Sequence, residues 1–292
     1  MPKVVSIIGA GVVGTAVGHL LSRSGCTIKS VVARSLDRAE KAAGFIGEGT
    51  PGTDPVEAAK GAAWVLITTP DRAIKETCDK VAAAGGFDRG CLVVHFSGAL
   101  GSDVLASARD AGARVVSIHP IQSLASVKEA VENLPGSYFS IEGDPAAMSE
   151  AREIVKYLSG MVVEIPSDRK ALYHAGAAIA SNYLVTVVDF AMTAYEALGM
   201  DRREALKAVM PLIRGTVNNI ERVGVPDALT GPVARGDVET VKGHIEALKK
   251  AMPDMVRLYC ELGKHAVSVG RAKGTLSAGD ADRLLEILGQ RR

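Results

Sequence analysis

The chain has 292 residues, of which 47% are hydrophobic and 23% charged, and its 34 basic and 33 acidic side chains give a net charge of +1. This composition is typical of a folded protein of about two domains and excludes an intrinsically disordered chain. The near-zero net charge and the aromatic content of 4% argue against nucleic-acid binding through bulk charge or base stacking.

The N-terminal segment is apolar but lacks the charged start, long apolar stretch and cleavage site of a signal peptide. The four cysteines have irregular spacings without a CxxC pair, so free thiols in a reducing compartment are expected. The six histidines show no HExxH-like spacing, and we predict no metal site. Together these features predict a cytoplasmic protein that does not bind a membrane.

Short apolar runs alternate with Ala-rich helical segments over the first half of the chain. The runs cover residues 3–8, 27–33, 64–69, 91–95, 114–118, 138–141 and 161–165. The early runs are continuously apolar, which is typical of parallel strands covered by helices on both faces. The alternation of strand and helix therefore predicts an α/β fold with a doubly wound sheet.

A glycine-rich motif, GAGVVG, follows the first apolar run and opens a helical segment. In such a loop the first glycine permits a tight turn, the second lets a pyrophosphate approach the backbone, and the third allows close helix–sheet packing. The N-terminus of the helix then offers unpaired N–H groups to the phosphates. The residues predicted to bind a dinucleotide here are Gly9, Gly11, Val12, Val13 and Gly14.

Arg34 directly follows the second apolar run, about 20 residues after Gly14, where an NAD-binding domain usually has Asp or Glu for the ribose hydroxyl. Ser35 follows directly, and Arg38 lies one helical turn further along. Guanidinium groups bind phosphate in a bidentate manner, so the pattern favours NADP(H) over NAD(H). The alternative is that Ser35 only caps the next helix and both arginines are solvated.

Polar residues follow three of the predicted strands, at the edge where open α/β sheets bind ligands. His119 is an acid/base candidate because imidazole titrates near neutrality, and Gln122 is a candidate for substrate binding. The alternatives are that the pair Thr69-Pro70 only ends a strand and that His119 belongs to a rigid turn. The residues expected beside the cofactor are Thr69, Pro70, Ser97 and Gly98.

From residue 166 onward helical patterns dominate, and glycines and prolines separate the helices. We therefore predict a dinucleotide-binding domain at residues 1–165 and an all-helical domain at residues 166–292. Eighteen consecutive uncharged residues lie between Lys170 and Asp189. Their length would suit a membrane span, but the Ala-rich, partly polar composition favours a helix buried on nearly all sides within the protein.

Lys170 and His174 are four residues apart at the start of this helix and so share a face. The lysine could protonate or polarise a carbonyl group, and the imidazole could orient it. Asn182, further along the helix, is a candidate for substrate binding. The alternative is a solvated lysine and an interior histidine.

Five segments together resemble proteins that have a Rossmann-like domain followed by a DUF2520 domain: GAGVVG, HFSGAL, SIHPIQS, KALYHAGAAIASNYL and LTGPVARGD. The group is similar to pyrroline-5-carboxylate reductase, prephenate dehydrogenase and the 6-phosphogluconate dehydrogenase-like proteins. The resemblance implies an N-terminal NADP-binding domain and a helical domain that commonly dimerises. In the related enzymes that act on hydroxyacids and on ketopantoate, an asparagine lies four residues after the catalytic lysine. Here His174 takes that place after Lys170, and this difference leaves the substrate open.

The sequence thus predicts an NADP(H)-dependent oxidoreductase that transfers a hydride to or from a small anionic carbonyl, imine or hydroxy compound in the cleft between its domains. Lys170 or His119 would supply or take the proton. Arg235, in the LTGPVARGD segment, would bind a substrate carboxylate or bridge to a neighbouring helix. The alternatives are an NADP(H)-binding sensor or partner protein without turnover, and a structural dimer with a vestigial loop.

Overall fold

The computed structural model describes residues 2–289 and divides into two compact units, Met1–Ser181 and Asn182–Arg292. The strands of the first unit are β1 Val4–Ile8, β2 Thr27–Val32, β3 Thr50–Gly52, β4 Trp64–Ile67, β5 Leu92–His95, β6 Arg114–Pro120, β7 Tyr138–Gly143 and β8 Met161–Glu164. Its helices are α1 Val12–Arg23, α2 Leu36–Ile46, α3 Pro55–Ala59, α4 Asp71–Ala83, α5 Ala106–Asp110, α6 Val127–Asn133, α7 Met148–Tyr157 and α8 Lys170–Ala180. The helices of the second unit are α9 Asn182–Glu196, α10 Arg202–Val223, α11 Val225–Ala228, α12 Gly231–Ala234, α13 Val238–Ala251, α14 Val256–Lys273 and α15 Ala278–Ile287.

The strands form one sheet in the order β3-β2-β1-β4-β5-β6-β7-β8. All neighbours from β3 to β6 pair in parallel, β7 is antiparallel to β6, and β8 is parallel to β7. The predicted doubly wound α/β fold is confirmed, and each of the seven predicted runs overlaps a strand. The prediction missed β3, which has only three residues including Pro51 and Gly52, both of which are rare inside strands.

The sheet is buried on both faces, which explains why its central strands are continuously apolar. On β4, Trp64 and Leu66 belong to the hydrophobic core with α1, α2, α6 and α7, whereas Val65 and Ile67 belong to the core with α3, α4 and α5. All four residues are completely buried. Because successive side chains point to opposite faces, a strand that packs helices on both sides must be apolar at every position.

The second unit is helical, as predicted for this part of the chain. Val241, Ile245 and Leu284 form part of a core shared by α13, α14 and α15. A smaller core joins α9 and α10. Asp237 caps α13, since its carboxylate accepts a hydrogen bond of 3.1 Å from the backbone N–H of Thr240.

The first compact unit extends through Ser181, beyond the predicted boundary after residue 165. The reason is that α8 bonds to the sheet, through Lys170 to the ends of β5 and β6 and through Tyr173 to His119 on β6. The division into domains at residues 165 and 166 stays a prediction.

The uncharged stretch is not buried within the chain, so that expectation is wrong for a single copy. Ser167–Glu196 has a window of mean hydropathy 1.4, which is apolar enough to cross a membrane, and only 11% of that window is buried. One such helix does not establish a span, because core helices of soluble proteins have the same length and composition. The absence of charge predicts an apolar environment but not which molecule provides it. Strongly exposed apolar side chains here are Leu172, Ile179, Tyr183 and Val185.

Candidate functional site

The loop between β1 and α1 packs against the end of β4. Gly9 has a φ of +124°, and a Cβ there would lie 2.5 Å from the carbonyl carbon of Thr68, so only glycine fits. A Cβ on Gly14 would lie 2.2 Å from the carbonyl oxygen of Gly9. The Thr68 hydroxyl donates to that same oxygen at 2.6 Å. These contacts fix the path of the chain into α1.

Gly11, in contrast, faces open space. No atom lies within 4 Å of the position that a Cβ would take, and Gly11 is the N-cap of α1 without any side-chain cap. The first N–H groups of a helix have no partner inside the helix, and they attract anions. A phosphate can therefore approach the backbone of Gly11, Val12 and Val13 closely.

A cleft of about 640 Å³ opens beside this loop. Such a volume is typical of small-molecule sites. Four residues predicted to bind the cofactor do not line this cleft: Gly14, which packs beneath the loop, and Ser35, Ser97 and Gly98. The predicted cofactor residues that line the cleft are Gly9, Gly11, Val12, Val13, Arg34, Arg38, Thr69 and Pro70.

The cleft carries an excess of positive charge. Arg34 and Arg38 line it together with Arg72 and Lys80 of α4, against the single carboxylate of Glu76. Within residues 2–289, none of these four cations forms an ion pair or a hydrogen bond. The sequence reasoning missed the two residues on α4, although their spacing with Glu76 places all three on one helix face.

The end of β2 also leaves its polar groups free. Ser35 is the N-cap residue of α2, yet its side chain makes no capping bond. Asp37 pairs with Lys41 at 2.8 Å, so its carboxylate is engaged away from Arg34 and Arg38. Side-chain capping therefore does not account for Ser35, and its contact with the cofactor stays a prediction.

These residues fit a phosphate-rich dinucleotide. The hydroxyl oxygen of Thr69, which lines the cleft, is buried and has no hydrogen-bond partner among residues 2–289. A buried polar atom without a partner costs free energy, and a ligand that supplies the bond removes that cost. The orphan hydroxyl, the open face of Gly11 and the unpaired guanidinium groups together suit a nucleotide with several phosphates.

A second cluster lies at the ends of β5 and β6 and centres on Lys170. Its ammonium group donates to the carbonyl oxygen of Ser97 at 3.0 Å and to the hydroxyl of Ser117 at 2.7 Å. The residue is only 3% exposed, which excludes a solvated lysine. Burial lowers the pKa of Lys170 to about 8, while the charges of Glu142 and Asp71 oppose this shift.

His119 and His174 join Lys170 in this cluster. The Nδ1 atom of His119 lies 2.7 Å from the hydroxyl of Tyr173, and the two histidine ring centroids are 6.0 Å apart. Burial, with the charge of Lys170, lowers the pKa of His119 to about 4, so its ring is neutral at pH 7. The three predicted catalytic residues therefore lie together, and Tyr173 is a member that the sequence reasoning missed.

Gly98 lets these rings approach the loop after β5. A Cβ on Gly98 would lie 2.6 Å from Cδ2 of His174 and 2.7 Å from Nε2 of His119. The glycine is thus required by the histidines, and a role for it beside the cofactor stays a prediction.

Ser97 shapes the same loop through its hydroxyl. It donates to Asp71 at 2.7 Å and accepts from the backbone N–H groups of Ala99 and Leu100. His95 adds a second fixed contact, because its Nδ1 accepts from the N–H of Ser97 and its Nε2 donates to the carbonyl of Gly101. Burial lowers the pKa of His95 to about 4. The loop is thus held so that the Ser97 carbonyl faces Lys170, and contact of Ser97 with the cofactor stays a prediction.

Glu142 on β7 is a further buried residue that the sequence did not reveal. Its carboxylate accepts from the N–H and hydroxyl of Ser102, at 2.7 and 2.8 Å, and from the hydroxyl of Ser167 at 2.5 Å. Three donors keep this charge buried close enough to act on Lys170. No local pattern points to it, because its partners are far away in sequence.

Within residues 2–289, the three residues predicted to bind substrate form no hydrogen bond with this cluster. The Gln122 amide donates to Ser137 at 3.1 Å and accepts from the N–H of Ser123. Asn182 begins α9, and Arg235 is exposed after α12, both in the second unit. Their roles stay predictions.

Comparison with protein families matches two parts of the chain. A Rossmann-like domain matches residues 2–120, and a domain of unknown function, DUF2520, matches residues 137–266. The chain is thus similar to a Rossmann-like domain over its first part and to a DUF2520 domain over its second. The resemblance found in the sequence is thereby confirmed. No curated protein matches the chain.

Solved structures share this arrangement over nearly the whole chain. A protein from Thermotoga maritima is 29% identical with a TM-score of 0.74, and the match covers 92% of this chain and 99% of that one. A pyrroline-5-carboxylate reductase from Coxiella burnetii is 16% identical, with coverage of 98% for both chains and a TM-score of 0.59. A pyrroline carboxylate reductase from Plasmodium falciparum with NADP bound is 13% identical, covers 92% and 98%, and has a TM-score of 0.56. The two reductases are similar in fold.

The buried ammonium of Lys170 predicts a pH dependence of stability. Its pKa is lowered to about 8 in the folded chain, against 10.5 for an ordinary lysine. Between these values the unfolded chain binds more protons, so this group makes stability rise with pH, by up to roughly 3 kcal/mol. Urea unfolding of the wild type and of Lys170→Met at pH 7 and pH 10.5 measures this.

We expect the free energy of unfolding to rise more for the wild type than for Lys170→Met between pH 7 and pH 10.5, because only the wild type carries the buried ammonium group. The titrations of the other groups are common to both proteins and cancel in the difference. Lys128→Met, which removes an exposed lysine on α6, is the matched control and should follow the wild type. Equal pH responses of wild type and Lys170→Met would contradict a buried, destabilised ammonium group.

Proposed function

We propose that this protein is an NADP(H)-dependent oxidoreductase that acts on a small anionic carbonyl, imine or hydroxy compound. The observation that carries the proposal is the buried ammonium of Lys170 beside the neutral ring of His119, at the edge of the sheet that also holds the open glycine loop. In open α/β sheets this carboxyl edge is where ligands bind.

The cleft and the lysine cluster are joined by one hydrogen bond. Asp71 begins α4 next to Pro70, which lines the cleft. The Asp71 carboxylate accepts a hydrogen bond of 2.7 Å from the hydroxyl of Ser97, and the carbonyl of Ser97 accepts one from Lys170. A dinucleotide in the cleft would supply the hydride. The chain's own task is then to bind the substrate and to move one proton.

Lys170 is the better proton donor of the two candidates. A pKa of about 8 leaves most of the ammonium groups protonated at pH 7 while making the proton easier to release than from an ordinary lysine. His119, whose pKa is about 4, carries no extra proton to give at that pH. We therefore assign the proton transfer to Lys170 and a hydrogen-bonding role to His119.

The unpaired guanidinium groups support NADP(H) as the cofactor. We expect Arg34→Ala to weaken NADPH binding about 10-fold to 100-fold, because a hydrogen bond to a charged group contributes about 1.5–3 kcal/mol. The binding of NADH, which lacks the 2′-phosphate, should change little. Fluorescence titration of both nucleotides measures these affinities.

Arg23→Ala is the matched control for Arg34→Ala, because it removes an exposed arginine from the C-terminal end of α1, away from the glycine loop. Its NADPH affinity should equal that of the wild type. If the wild type bound NADH as tightly as NADPH, or if Arg34→Ala left NADPH affinity unchanged, the assignment of a 2′-phosphate site would be wrong.

Turnover is tested with a panel of keto acids and cyclic imines, by following NADPH oxidation. With an accepted substrate, the rate of reduction should fall above about pH 8 as Lys170 loses its proton. Lys170→Met should lower kcat by roughly 10²-fold to 10⁴-fold while NADPH affinity stays within about threefold. Lys128→Met serves again as the control. Tight NADPH binding without turnover of any compound would favour a nucleotide-binding sensor.

We also propose that a second copy of this chain covers the exposed apolar side chains of α8 and α9, in a cytoplasmic homodimer. Contiguous exposed apolar surface marks an interaction site. Leu172, Ile179 and Val185 are 68%, 60% and 69% exposed, which makes these two helices the candidate interface. A lipid membrane is the other possible cover.

Size-exclusion chromatography with light scattering, in buffer without detergent, distinguishes the two. We expect a particle of twice the mass of one chain, and we expect Val185→Glu to produce monomers. Val225→Glu, which changes an exposed valine of α11, is the control and should remain dimeric. Recovery of the protein only in detergent would contradict the dimer.

A further inference from the structure

Tyr173 bonds to His119 and is placed to decide which ring nitrogen carries the single proton. A neutral imidazole has one N–H donor and one acceptor nitrogen, and the partner of one nitrogen fixes the other. The Tyr173 hydroxyl lies 2.7 Å from Nδ1 of His119, and the rings meet edge to face with centroids 5.7 Å apart. Within residues 2–289, no hydrogen bond engages Nε2 of His119, which lies toward Gly98.

The surroundings of the phenol indicate the direction of this hydrogen bond. Within residues 2–289, the hydrogen bond that the Tyr173 hydroxyl forms is the one to Nδ1 of His119. If Nδ1 carried the imidazole proton, the half-buried phenol proton would lack this acceptor. The phenol is therefore best used as the donor, with its proton pointing to Nδ1.

We propose that Tyr173 is a positioning residue that donates to Nδ1 of His119 and thereby holds the imidazole proton on Nε2. His119 then presents a neutral N–H donor beside Gly98 instead of a base. The proposal rests on the proposed function and extends it, because it assigns the state in which His119 meets the substrate.

This state separates the roles of the two catalytic candidates. During reduction a bound NADPH would supply the hydride for the new C–H bond and be oxidised to NADP⁺, while the π bond of the C=O or C=N group would break. The proton for the oxygen or nitrogen comes from the ammonium of Lys170, which becomes an amine and regains a proton from solvent. The Nε2–H of His119 donates to the same heteroatom as negative charge develops, and it keeps its proton throughout.

Nitrogen-15 NMR of the histidine rings tests the tautomer without any substrate. We expect Nε2 of His119 to be protonated and Nδ1 to be unprotonated in the wild type. His95 is an internal reference of known state, because the backbone N–H of Ser97 can only donate to its Nδ1. In Tyr173→Phe the His119 signals should move to those of a tautomer mixture, while the His95 signals stay unchanged. The loss of signals in His119→Gln assigns them.

Tyr259→Phe is the matched control, because Tyr259 makes the same type of bond, 2.8 Å from Nδ1 of His244, in the second unit. It should leave the His119 signals and kcat unchanged. With an accepted substrate, Tyr173→Phe should lower kcat about tenfold and leave the affinity for NADPH unchanged.

A proton on Nδ1 of His119 in the wild type would overturn the proposal. So would His119 signals that do not change in Tyr173→Phe, even if kcat falls, because the tyrosine would then act on packing alone. Because the spectra require no turnover, the proposal can be tested even if no substrate is found, and its failure is distinguishable from a failure of the proposed function.

Discussion

The ammonium group of Lys170 is held out of water, and the geometry of the sheet edge around it follows from that constraint. Burial of a charge is costly unless hydrogen bonds and opposite charges compensate. Here the Ser97 carbonyl and the Ser117 hydroxyl accept directly, and Glu142 and Asp71 act at longer range. The loop after β5 must therefore keep one conformation, and hydrogen bonds of the Ser97 hydroxyl and of the Ser97 N–H group hold it.

The two parts of the candidate site treat their polar groups in opposite ways. Around the glycine loop, within the described residues, the four cleft-lining cations form no ion pair and the Thr69 hydroxyl has no hydrogen-bond partner, which suits a ligand that arrives with its own acceptors. Around Lys170 the ammonium group, the Ser97 hydroxyl and the Glu142 carboxylate all form hydrogen bonds within the chain. The first arrangement favours binding, and the second favours a fixed geometry and a shifted pKa.

What the sequence predicted depends on local pattern. The strands, the glycine loop and the basic end of β2 follow from periodicity and from residues close together in the chain, so they were predictable. Glu142 and Tyr173 act through partners on other strands and helices, and no spacing rule reveals them. The prediction that the uncharged helix is buried within a single chain was wrong. The absence of charge describes the surroundings that a helix needs and not the molecule that provides them.

The reversed direction of β7 has a consequence for how this site can change during evolution. Across the β6–β7 ladder Glu142 pairs with Ser117 and Ser140 pairs with His119, while Ser117 and His119 contact α8 at Lys170 and Tyr173. A slip of one residue in this ladder would turn both Glu142 and Ser140 to the opposite face of the sheet. Insertions and deletions in the β6–β7 connection are therefore tolerated only where the strand register stays intact, and the carboxylate and the hydroxyl are inherited as one unit.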